Sequence, residues 1–356
     1  MNLKRLIIVI PAYEPDYHLK ELVTKLNTFF TDFDIIIVDD GSKNKDVFSD
    51  VKKISNVTLL TNDVNKGKGE ALKVAFRHIR ELDISSIIVT ADSDGQHKPE
   101  DIKRIYDFYL EHENSLVLGS RQFENEVPKK SRFGNDVSRF LLRCCLNKHL
   151  NDTQTGLRAF SSSLLDFMIN IKGNKFEYEM NMLSESIIND INVFELKIET
   201  IYIDENKGSH FRPIRDFFRI VGSILKYRII NYLTLLLDFG IFVLLFNLLK
   251  NKTEIYYIHS SIIASILALL MNLIFNNFNN LHGDKRIFNN KKKLLRKLIL
   301  GIILIASNLG LLLLFNNFMN NLYLIRLITN IILFILLIPI NYVTTKKNKV
   351  YGDKNL

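Results

Sequence analysis

Two patterns of apolar and polar positions divide the chain. In the first half, short apolar runs alternate with stretches in which apolar residues recur every three or four positions, as Leu19, Leu22, Val23 and Leu26 do. The runs predict strands buried on both faces: Leu6–Ile10, Asp34–Asp39, Val57–Leu60, Ile87–Ala91 and Leu116–Gly119. This alternation of strand and helix predicts an α/β (Rossmann-like) domain with a mostly parallel sheet, whose ligands bind at the carboxyl ends of the strands.

Long apolar runs dominate the second half. Four of them approach the roughly 20 residues that a bilayer core requires, and they predict an all-α membrane domain with transmembrane helices at about 230–249, 258–278, 298–315 and 324–343. A core of buried soluble helices is the competing interpretation. The loop between the second and third runs is strongly basic, as is the tail 346–356. By the positive-inside rule, we expect a multi-pass protein of the cell membrane with both termini and the α/β domain in the cytoplasm.

The stretch between the two halves mixes basic and apolar residues. Residues 212–228 therefore predict an amphipathic linker in the membrane interface, between an α/β domain at 1–211 and a membrane domain at 229–345. Residues 129–149 have a similar mixture, which fits either a second interfacial helix or an ordinary surface helix.

Charge and cysteine content indicate the surroundings of the protein. The formal charge of +9 comes largely from residues that flank the apolar runs, and this placement favours anionic lipid headgroups over nucleic acid as the partner. The two cysteines, Cys144 and Cys145, are adjacent and poorly placed for a structural disulfide. A reducing cytosolic setting is the simpler interpretation.

Acidic residues follow three of the predicted strands. Asp92-Ser93-Asp94-Gly95-Gln96-His97 follows the fourth, and two carboxylates one residue apart at a strand end suit Mg²⁺ or Mn²⁺ and the diphosphate that such a cation bridges. Asp39 and Asp40 end the second strand, and Tyr13 and Glu14 follow the first. Like charge gathered on one rim is costly without a cation or a hydrogen-bonding ligand. A turn-forming Asp39 and a packing Tyr13 are the alternatives.

A glycine-containing segment leads from the third strand into a helix. Asn65-Lys66-Gly67-Lys68-Gly69 can present amides and lysine cations to phosphate, although exposed lysines at a helix start explain it equally well. The segment lacks the GxxxxGK[ST] spacing, and no GxGxxG follows the first strand. Both absences disfavour a Walker-type ATPase and a dinucleotide oxidoreductase.

In order and spacing, these motifs closely resemble glycosyltransferase family 2, with its GT-A fold, and within it the polyprenyl-phosphate glycosyltransferases. The resemblance covers roughly Leu3 to Arg215. The residues that carry it are Pro11–Tyr13, Val38–Ser42, Asn65–Gly69, Asp92–His97, Gly119–Arg121, Asp152–Arg158 and Gly208–Phe211. The four apolar spans resemble, by architecture, the GtrA-like family of small membrane proteins that occur beside or fused to such transferases.

The resemblance implies a role for each matching residue. The base and ribose of a nucleotide-sugar would be bound by Pro11, Tyr13, Val38 and Asp40. The metal and diphosphate would be bound by Lys68, Asp92, Ser93, Asp94 and Gln96, of which Asp92, Asp94 and Gln96 would be the metal ligands. Arg121 would meet phosphate or sugar, and Asp152 would border the acceptor site. Glu177 and Glu179 are further candidates for contacting sugar, or else helix-face carboxylates.

The chain departs from the family pattern in two places. Relatives often have Asn-Glu after the aromatic of the first motif, whereas this chain has Glu14-Pro15, so Glu14 is expected to substitute from one position earlier. The Ser-Lys pair of many relatives appears here as Ser209-His210. The arginine that often precedes that pair has Lys207 or Arg212 as its counterpart.

The implied reaction is inverting transfer of a sugar from a UDP- or GDP-sugar to a polyprenyl phosphate, with undecaprenyl phosphate expected, for synthesis of a cell-envelope glycan or glycoconjugate. The acceptor phosphate is already ionised near neutral pH, so Asp152 need not act as a general base. Arg132, Arg139 and Arg212 are the candidates for positioning that phosphate, because the planar guanidinium binds two phosphate oxygens at once.

Other functions remain open at this stage. One alternative is a processive polysaccharide synthase. Such synthases resemble one another in a QxxRW motif, which this chain lacks because it has no tryptophan. A different saccharide acceptor, or a lipid-sugar flippase or anchor with a vestigial transferase domain, are the alternatives. Asp238 lies within a predicted transmembrane span, and an ionisable residue there is a candidate functional residue. Rise along the helices makes Arg326 an unlikely partner for Asp238 and Asn272 or Asn276 a better one. Self-association of the four-helix unit is also possible.

Overall fold

A computed structural model describes residues 5–121, 129–146, 148–199, 215, 218–222, 229–250, 255–279, 291–318, 321–344 and 350–351. The chain divides into two compact units. The first unit is Met1–Ile224 together with Thr345–Leu356, and the second is Leu225–Thr344.

The first unit is built on one sheet. Its strands are β1 (Arg5–Ala12), β2 (Phe33–Asp39), β3 (Val57–Thr61), β4 (Ser86–Thr90), β5 (Ser115–Arg121), β6 (Arg158–Ser161), β7 (Asn192–Ile198) and β8 (Val350–Tyr351). Its helices are α1 (Tyr17–Phe29), α2 (Asp46–Val51), α3 (Lys68–Glu81), α4 (Pro99–Glu111), α5 (Lys129–Leu146), α6 (Leu165–Asn170) and α7 (Glu177–Ile188). The strand order is β3-β2-β1-β4-β6-β5-β7-β8.

The pairing of the strands places three strand ends at one edge. β1 runs parallel to both β2 and β4, with Ala12 opposite Asp39 and Val9 opposite Thr90. Among the described strands, only β6 runs antiparallel to its neighbours, between β4 and β5. The predicted α/β class with a mostly parallel sheet is therefore confirmed, and the carboxyl ends of β1, β2 and β4 share one edge.

Continuous apolar runs form the central strands because both faces of the sheet are covered. In β1, every residue from Leu6 to Ala12 is buried. The prediction that Val57–Leu60 is buried on both faces was wrong, since every residue of β3 is half-buried or exposed. Among the strands described, β3 has only β2 as a neighbour, and this edge position leaves part of its surface open to solvent.

A two-residue strand near the end of the chain extends the sheet. Val350 and Tyr351 pair in parallel with Glu195 and Leu196 of β7. The Tyr351 ring lies 5.1 Å from that of Phe108, measured between ring centroids, and 6.0 Å from that of Phe194. The sequence indicated only a basic tail here, because two residues are too few to show a period.

The second unit consists of four helices that lie over the four predicted spans. They are α8 (Ile229–Leu249), α9 (Tyr256–Asn279), α10 (Lys291–Asn316) and α11 (Leu322–Thr344). Within the described residues, one stretch, Tyr256–Phe275, is long and apolar enough to cross a membrane, and the apolar stretches of the other three helices are shorter. The number of crossings therefore stays a prediction.

A buried ion pair joins two of these helices, and here the sequence prediction was wrong. Nη2 of Arg326 lies 2.7 and 2.8 Å from the two carboxylate oxygens of Asp238. Asn272 instead donates to Thr234, at 3.0 Å, and the side chain of Asn276 is outside the described residues. Rise along a helix compares backbone positions only, whereas an arginine side chain is long enough to bridge more than one turn of about 5.4 Å.

Further polar side chains complete this cluster from the other helices. Asp238 also accepts hydrogen bonds from Ser265 of α9, at 3.0 Å, and from Asn330 of α11, at 2.8 Å. Nη1 of Arg326 donates to Ser261, at 2.7 Å, and Asn308 of α10 donates to Asn330, at 2.8 Å. The buried charges are thus paired with one another and hydrogen-bonded, as a low-dielectric interior requires.

Candidate active site at the carboxyl ends of the strands

A cavity of about 520 Å³ opens at the shared edge of β1, β2 and β4. Its lining residues are Pro11, Ala12, Tyr13, Glu14, Pro15, Asp16, Asp40, Asn65, Gly67, Lys68, Ala71, Asp92, Ser93, Asp94, Lys175, Phe176, Arg215 and Arg219. Four of the predicted motifs therefore meet in one cavity, as expected for a ligand site of a parallel α/β sheet.

Asp92 has close neighbours on three sides. Nζ of Lys68 lies 2.6 Å from Oδ1, and Nε2 of His97 lies 3.4 Å from Oδ2, which is long for a hydrogen bond. A Cβ atom added to Gly156 would lie 2.5 Å from both carboxylate oxygens, so a larger residue would displace the carboxylate. Burial alone would raise the pKa of Asp92, but Lys68 and His97 lower it. Asp92 is therefore a fixed, ionised carboxylate.

Lys68, the first residue of α3, is shared between two carboxylates. Its Nζ lies 2.9 Å from Oε1 of Glu179 as well as beside Asp92. Burial alone would lower the pKa of Lys68, but the two carboxylates raise it. The carbonyl of Glu179 accepts a hydrogen bond of 2.6 Å from Arg158, which is itself buried and anchors this end of α7. The sequence indicated that Glu179 contacts sugar or else is a helix-face carboxylate, and it did not indicate this ion pair.

Asp94 is the carboxylate with the least compensation. Its Oδ1 accepts a hydrogen bond of 3.1 Å from the backbone amide of Gln96. Burial and the nearby charge of Asp92 raise the pKa of Asp94. Two carboxylates held this close gain from a cation that binds both, because each disfavours the ionised form of the other.

Asp40 is compensated by the chain itself. It accepts hydrogen bonds from the side chain of Asn62, at 2.8 Å, and from the amides of Lys66 and Gly67, at 3.0 and 2.7 Å. The φ angle of Gly67 is +104°, and a Cβ there would lie 2.5 Å from a carbonyl oxygen, so the turn requires glycine. Asp40 thus shapes the loop that carries Lys68 to the cavity.

The two remaining acidic residues of the rim are compensated in the same way. Asp39 accepts a hydrogen bond of 2.8 Å from the amide of Ser42 and forms an ion pair with Lys45. Glu14 accepts one of 2.7 Å from the amide of Lys43. The three acidic strand ends do converge, but the charge that calls for a cation is concentrated at Asp92 and Asp94.

A second group of predicted residues forms a buried chain of contacts outside the cavity lining. Nε and Nη2 of Arg121 lie 2.6 and 3.1 Å from the two carboxylate oxygens of Asp152, which is fully buried. Glu195 of β7 in turn accepts hydrogen bonds from the amides of Asn151 and Asp152, at 2.7 and 3.0 Å. Burial raises the pKa of Glu195. Glu195 was not among the predicted site residues, although a single acidic residue within an apolar strand can indicate a functional position.

The structure does not place the other predicted site residues in the cavity lining. Val38 is fully buried within β2, and Gln96 is outside the cavity lining. Arg139 donates to the carbonyl of Leu150, at 3.1 Å, and to Asp136, at 3.2 Å, and is also outside the lining. The side chain of Arg132 and all of Ser209, His210 and Arg212 lie outside the described residues.

Comparison with known proteins agrees with the motifs in this cavity. Residues 7–169 match the model of glycosyl transferase family 2, and residues 226–348 match that of the GtrA/DPMS transmembrane domain. A relative from Methanococcus voltae, named UDP-N-acetylglucosamine--dolichyl-phosphate N-acetylglucosaminyltransferase, is 31% identical over 56% of this chain and 87% of its own length. The chain belongs to glycosyl transferase family 2. It is a family 2 glycosyltransferase with a C-terminal GtrA/DPMS membrane domain.

More distant relatives share the family 2 domain. An undecaprenyl-phosphate 4-deoxy-4-formamido-L-arabinose transferase from an Enterobacter species is 28% identical over 46% of this glycosyltransferase and 50% of its own length. Among solved structures, glucosyl-3-phosphoglycerate synthase from Mycobacterium tuberculosis superposes with a TM-score of 0.49 at 17% identity, over 63% of this chain and 80% of that one. That likeness is too distant to bear on the reaction.

We expect Glu195 to hold the Arg121–Asp152 pair of this glycosyltransferase in place. Glu195→Leu leaves two backbone amides near Asp152 without an acceptor, and the sugar-transfer rate should fall by about tenfold or more, since each 1.36 kcal/mol lost in the transition state is a factor of ten. Glu195→Gln keeps the acceptor oxygen and should restore most of the rate. Steady-state kinetics measures both.

The matched control is Glu199→Leu, because Glu199 is 65% exposed and pairs with Lys98 at the surface. It should leave the rate unchanged. If Glu195→Leu lowered the melting temperature but left the rate per folded molecule intact, Glu195 would be a structural residue only.

Proposed function

We propose that this glycosyltransferase transfers a sugar from a UDP- or GDP-sugar to polyprenyl phosphate, with undecaprenyl phosphate as the expected acceptor and inversion at the anomeric carbon. The reaction takes place at the cytoplasmic face of the cell membrane and supplies a cell-envelope glycan or glycoconjugate. The observation that carries the proposal is the cavity in which Asp92 and Asp94 face Tyr13 and the loop of Lys68.

The relatives support this class of acceptor. The Methanococcus voltae protein is named for dolichyl phosphate and the Enterobacter protein for undecaprenyl phosphate, and both are polyprenyl phosphates. The membrane domain supports it too, because an enzyme acting on a lipid phosphate gains from being anchored where that lipid resides.

The residues present fit a divalent cation. Asp92 and Asp94 offer hard carboxylate oxygens at the end of β4, which suit Mg²⁺ or Mn²⁺, with the side chain of Gln96 as a further oxygen donor. Burial and the nearby charge of Asp92 raise the pKa of Asp94, and a bound cation would favour its ionised form. A bound cation would neutralise the diphosphate of the donor and stabilise it as a leaving group.

The first two motifs form the other side of the cavity. Pro11, Tyr13, Glu14 and Asp40 line it and would contact the base and ribose of the donor. Ser93 lines it next to the two carboxylates. Lys68, held by Asp92 and Glu179, lies where its ammonium can contact the diphosphate.

The transfer step is a single displacement. An oxygen of the acceptor phosphate forms a bond to the anomeric carbon of the sugar, the bond from that carbon to the diphosphate breaks, and the nucleoside diphosphate leaves with the electron pair. Because the phosphate is already ionised near neutral pH, no side chain needs to remove a proton. Asp152 then serves to hold Arg121 in place. The proposed contact of Arg121 with phosphate or sugar rests on the family resemblance, because Arg121 is outside the residues that line the cavity.

The strand β8 supports the proposed placement of the termini. Val350 and Tyr351 pair with β7, so the end of the chain must lie on the same side of the membrane as the catalytic sheet. A chain that begins and ends on one side crosses an even number of times, which agrees with four crossings by α8 to α11. The basic tail favours the cytoplasm as that side.

The structure gives the alternative of a flippase or anchor less support than the sequence did. The ionisable residue that suggested it, Asp238, is paired with Arg326 and hydrogen-bonded within the second unit. An internal ion pair has a structural explanation, so Asp238 no longer calls for a transported ligand.

The test is transfer of labelled sugar from a panel of UDP-glucose, UDP-N-acetylglucosamine and GDP-mannose to undecaprenyl phosphate by the detergent-purified full chain. We expect one donor to give a chloroform-soluble product with Mg²⁺ or Mn²⁺, and EDTA to remove that product. If a donor were consumed without a lipid product, the acceptor would be a saccharide instead of a polyprenyl phosphate. If no donor were consumed, the transferase proposal would be wrong.

A further inference from the structure

Two arginines that the sequence indicated only as part of an interfacial linker line the donor cavity. Arg215 and Arg219 contribute to the same lining as Asp92 and Asp94. Arg215 is helical, as are residues 218–222. The cavity therefore has an acidic part at the strand ends and a basic part at these two arginines.

Four basic residues line the cavity, namely Lys68, Lys175, Arg215 and Arg219. Lys68 is 17% exposed and lies between Asp92 and Glu179. Arg121 is paired with Asp152 and is outside the lining. Arg215 is exposed, and Lys175 and Arg219 are half-buried.

Phosphate is the ligand chemistry that this pair of arginines fits. Each guanidinium presents a planar fork of N–H donors that matches two phosphate oxygens, and charge-assisted bonds of this kind are the strongest hydrogen bonds in proteins. An anionic phosphate approaching Asp92 and Asp94 is repelled by them unless positive charge accompanies it. Arg215 and Arg219 supply that charge from within the same cavity.

Two phosphates could use the pair, the diphosphate of the donor and the monophosphate of the lipid acceptor. The diphosphate is expected at Asp92, Asp94 and Lys68, where the cation site and the loop amides lie. Arg215 and Arg219 belong to the last described residues before the chain enters the membrane domain at Ile229. This closeness in sequence to the membrane domain favours the phosphate of the lipid acceptor over the diphosphate of the donor.

We propose that Arg215 and Arg219 bind the phosphate of the polyprenyl phosphate acceptor and hold it in the cavity, opposite the carboxylates that bind the activated donor. This inference rests on the proposed function and names residues other than Arg132, Arg139 and Arg212, which the sequence favoured. The two arginines orient the nucleophilic oxygen toward the sugar and reduce its repulsion by the acidic wall.

The test uses the full chain in detergent with undecaprenyl phosphate and the donor that the panel identifies. The variants are Arg215→Gln, Arg219→Gln, the double Gln variant and the double Lys variant. In the double Gln variant, KM for undecaprenyl phosphate should rise by about tenfold or more, because a hydrogen bond to a charged group contributes about 1.5–3 kcal/mol. KM for the donor should change by less than about twofold, and the double Lys variant should recover part of the loss, because lysine keeps the charge without the planar fork.

Arg80→Gln is the matched control, because Arg80 pairs with Asp166 at the opposite end of α3 from Lys68. It should leave both KM values unchanged. The dissociation constant of labelled nucleoside diphosphate with Mn²⁺ gives a readout independent of turnover and should be the same in all variants.

Three results would overturn the inference. An unchanged lipid KM in the double Gln variant would remove the arginines from acceptor binding. A rise in donor KM and weaker nucleotide binding would assign them to the diphosphate instead. A wild-type protein that makes no lipid product would contradict the proposed function and this inference together, whereas the first two results leave the proposed function intact.

Discussion

Asp94→Ala is expected to abolish sugar transfer, with a loss of about a thousandfold or more, while the protein remains folded. In the proposed mechanism, a cation would lose one of its two carboxylate ligands without Asp94, and with it the charge stabilisation of the departing diphosphate. A bound metal ion contributes several kcal/mol of such stabilisation, and each 1.36 kcal/mol corresponds to a factor of ten in rate. Turnover at saturating Mg²⁺ or Mn²⁺ measures the loss.

The same substitution should not destabilise the fold. Burial and the charge of Asp92 raise the pKa of Asp94, so folding disfavours its ionised form. An acid whose pKa is raised in the folded state costs stability at every pH above its unfolded pKa. The melting temperature of Asp94→Ala at neutral pH should therefore equal or exceed that of the wild type.

Asp107→Ala is the matched control, because Asp107 is an exposed carboxylate that pairs with Lys103 on α4. It should retain full activity. Near-normal turnover of Asp94→Ala would contradict the assignment of the metal to this site. If the melting temperature and the activity both fell, the variant would be misfolded. The nearly isosteric Asp94→Asn would then separate the loss of the metal ligand from the loss of stability.

Arg326→Leu is expected to destabilise the membrane domain by about 3–5 kcal/mol, because it leaves Asp238 as an uncompensated buried charge. Asp238 would keep its hydrogen bonds from Ser265 and Asn330 but lose both contacts to the guanidinium. Thermal unfolding of the purified protein in detergent, followed by size-exclusion chromatography, measures the loss.

Removing both charges should be far less harmful than removing one. In Asp238→Leu with Arg326→Leu no buried charge remains, and such replacements of whole ion pairs are often neutral or stabilising. Asn247→Leu, at an exposed hydrogen bond to Tyr323, is the control for a lost interhelical contact and should cost little. A single Arg326→Leu variant as stable as the wild type would show that the pair contributes nothing, and failure of the double variant to recover would point to the remaining polar cluster.

The strands with continuous apolar runs were predictable within a residue or two, because burial on both faces leaves an unmistakable pattern. The predicted run Leu6–Ile10 became β1 and Ile87–Ala91 became β4, and the parallel arrangement made the meeting of their carboxyl ends predictable as well. β6 and β7 were missed. β6 has four residues and begins with the buried Arg158, and β7 interrupts its apolar residues with Glu195.

The ion pairs of Lys68 and Arg121 could not be predicted, because each joins residues far apart in sequence. Motif order brings Lys68 and Asp92 to one rim, but nothing in the sequence tells which carboxylates are compensated by the chain itself, as Asp40 is by Asn62. The same limit explains the error at Asp238 and Arg326. Periodicity fixes which face of a helix a residue occupies, whereas the reach of a long side chain depends on packing between helices.

The strand β8 makes the membrane domain an insertion within the catalytic domain, flanked by β7 on one side and Val350–Tyr351 on the other. A soluble fragment cut after Ile224 would lack that strand and would leave the edge of β7 open, with Phe108 and Phe194 deprived of the Tyr351 ring. Open apolar edges invite association between molecules. A soluble version of this enzyme is better engineered by excising residues 225–344 and rejoining the C-terminal segment through a flexible linker.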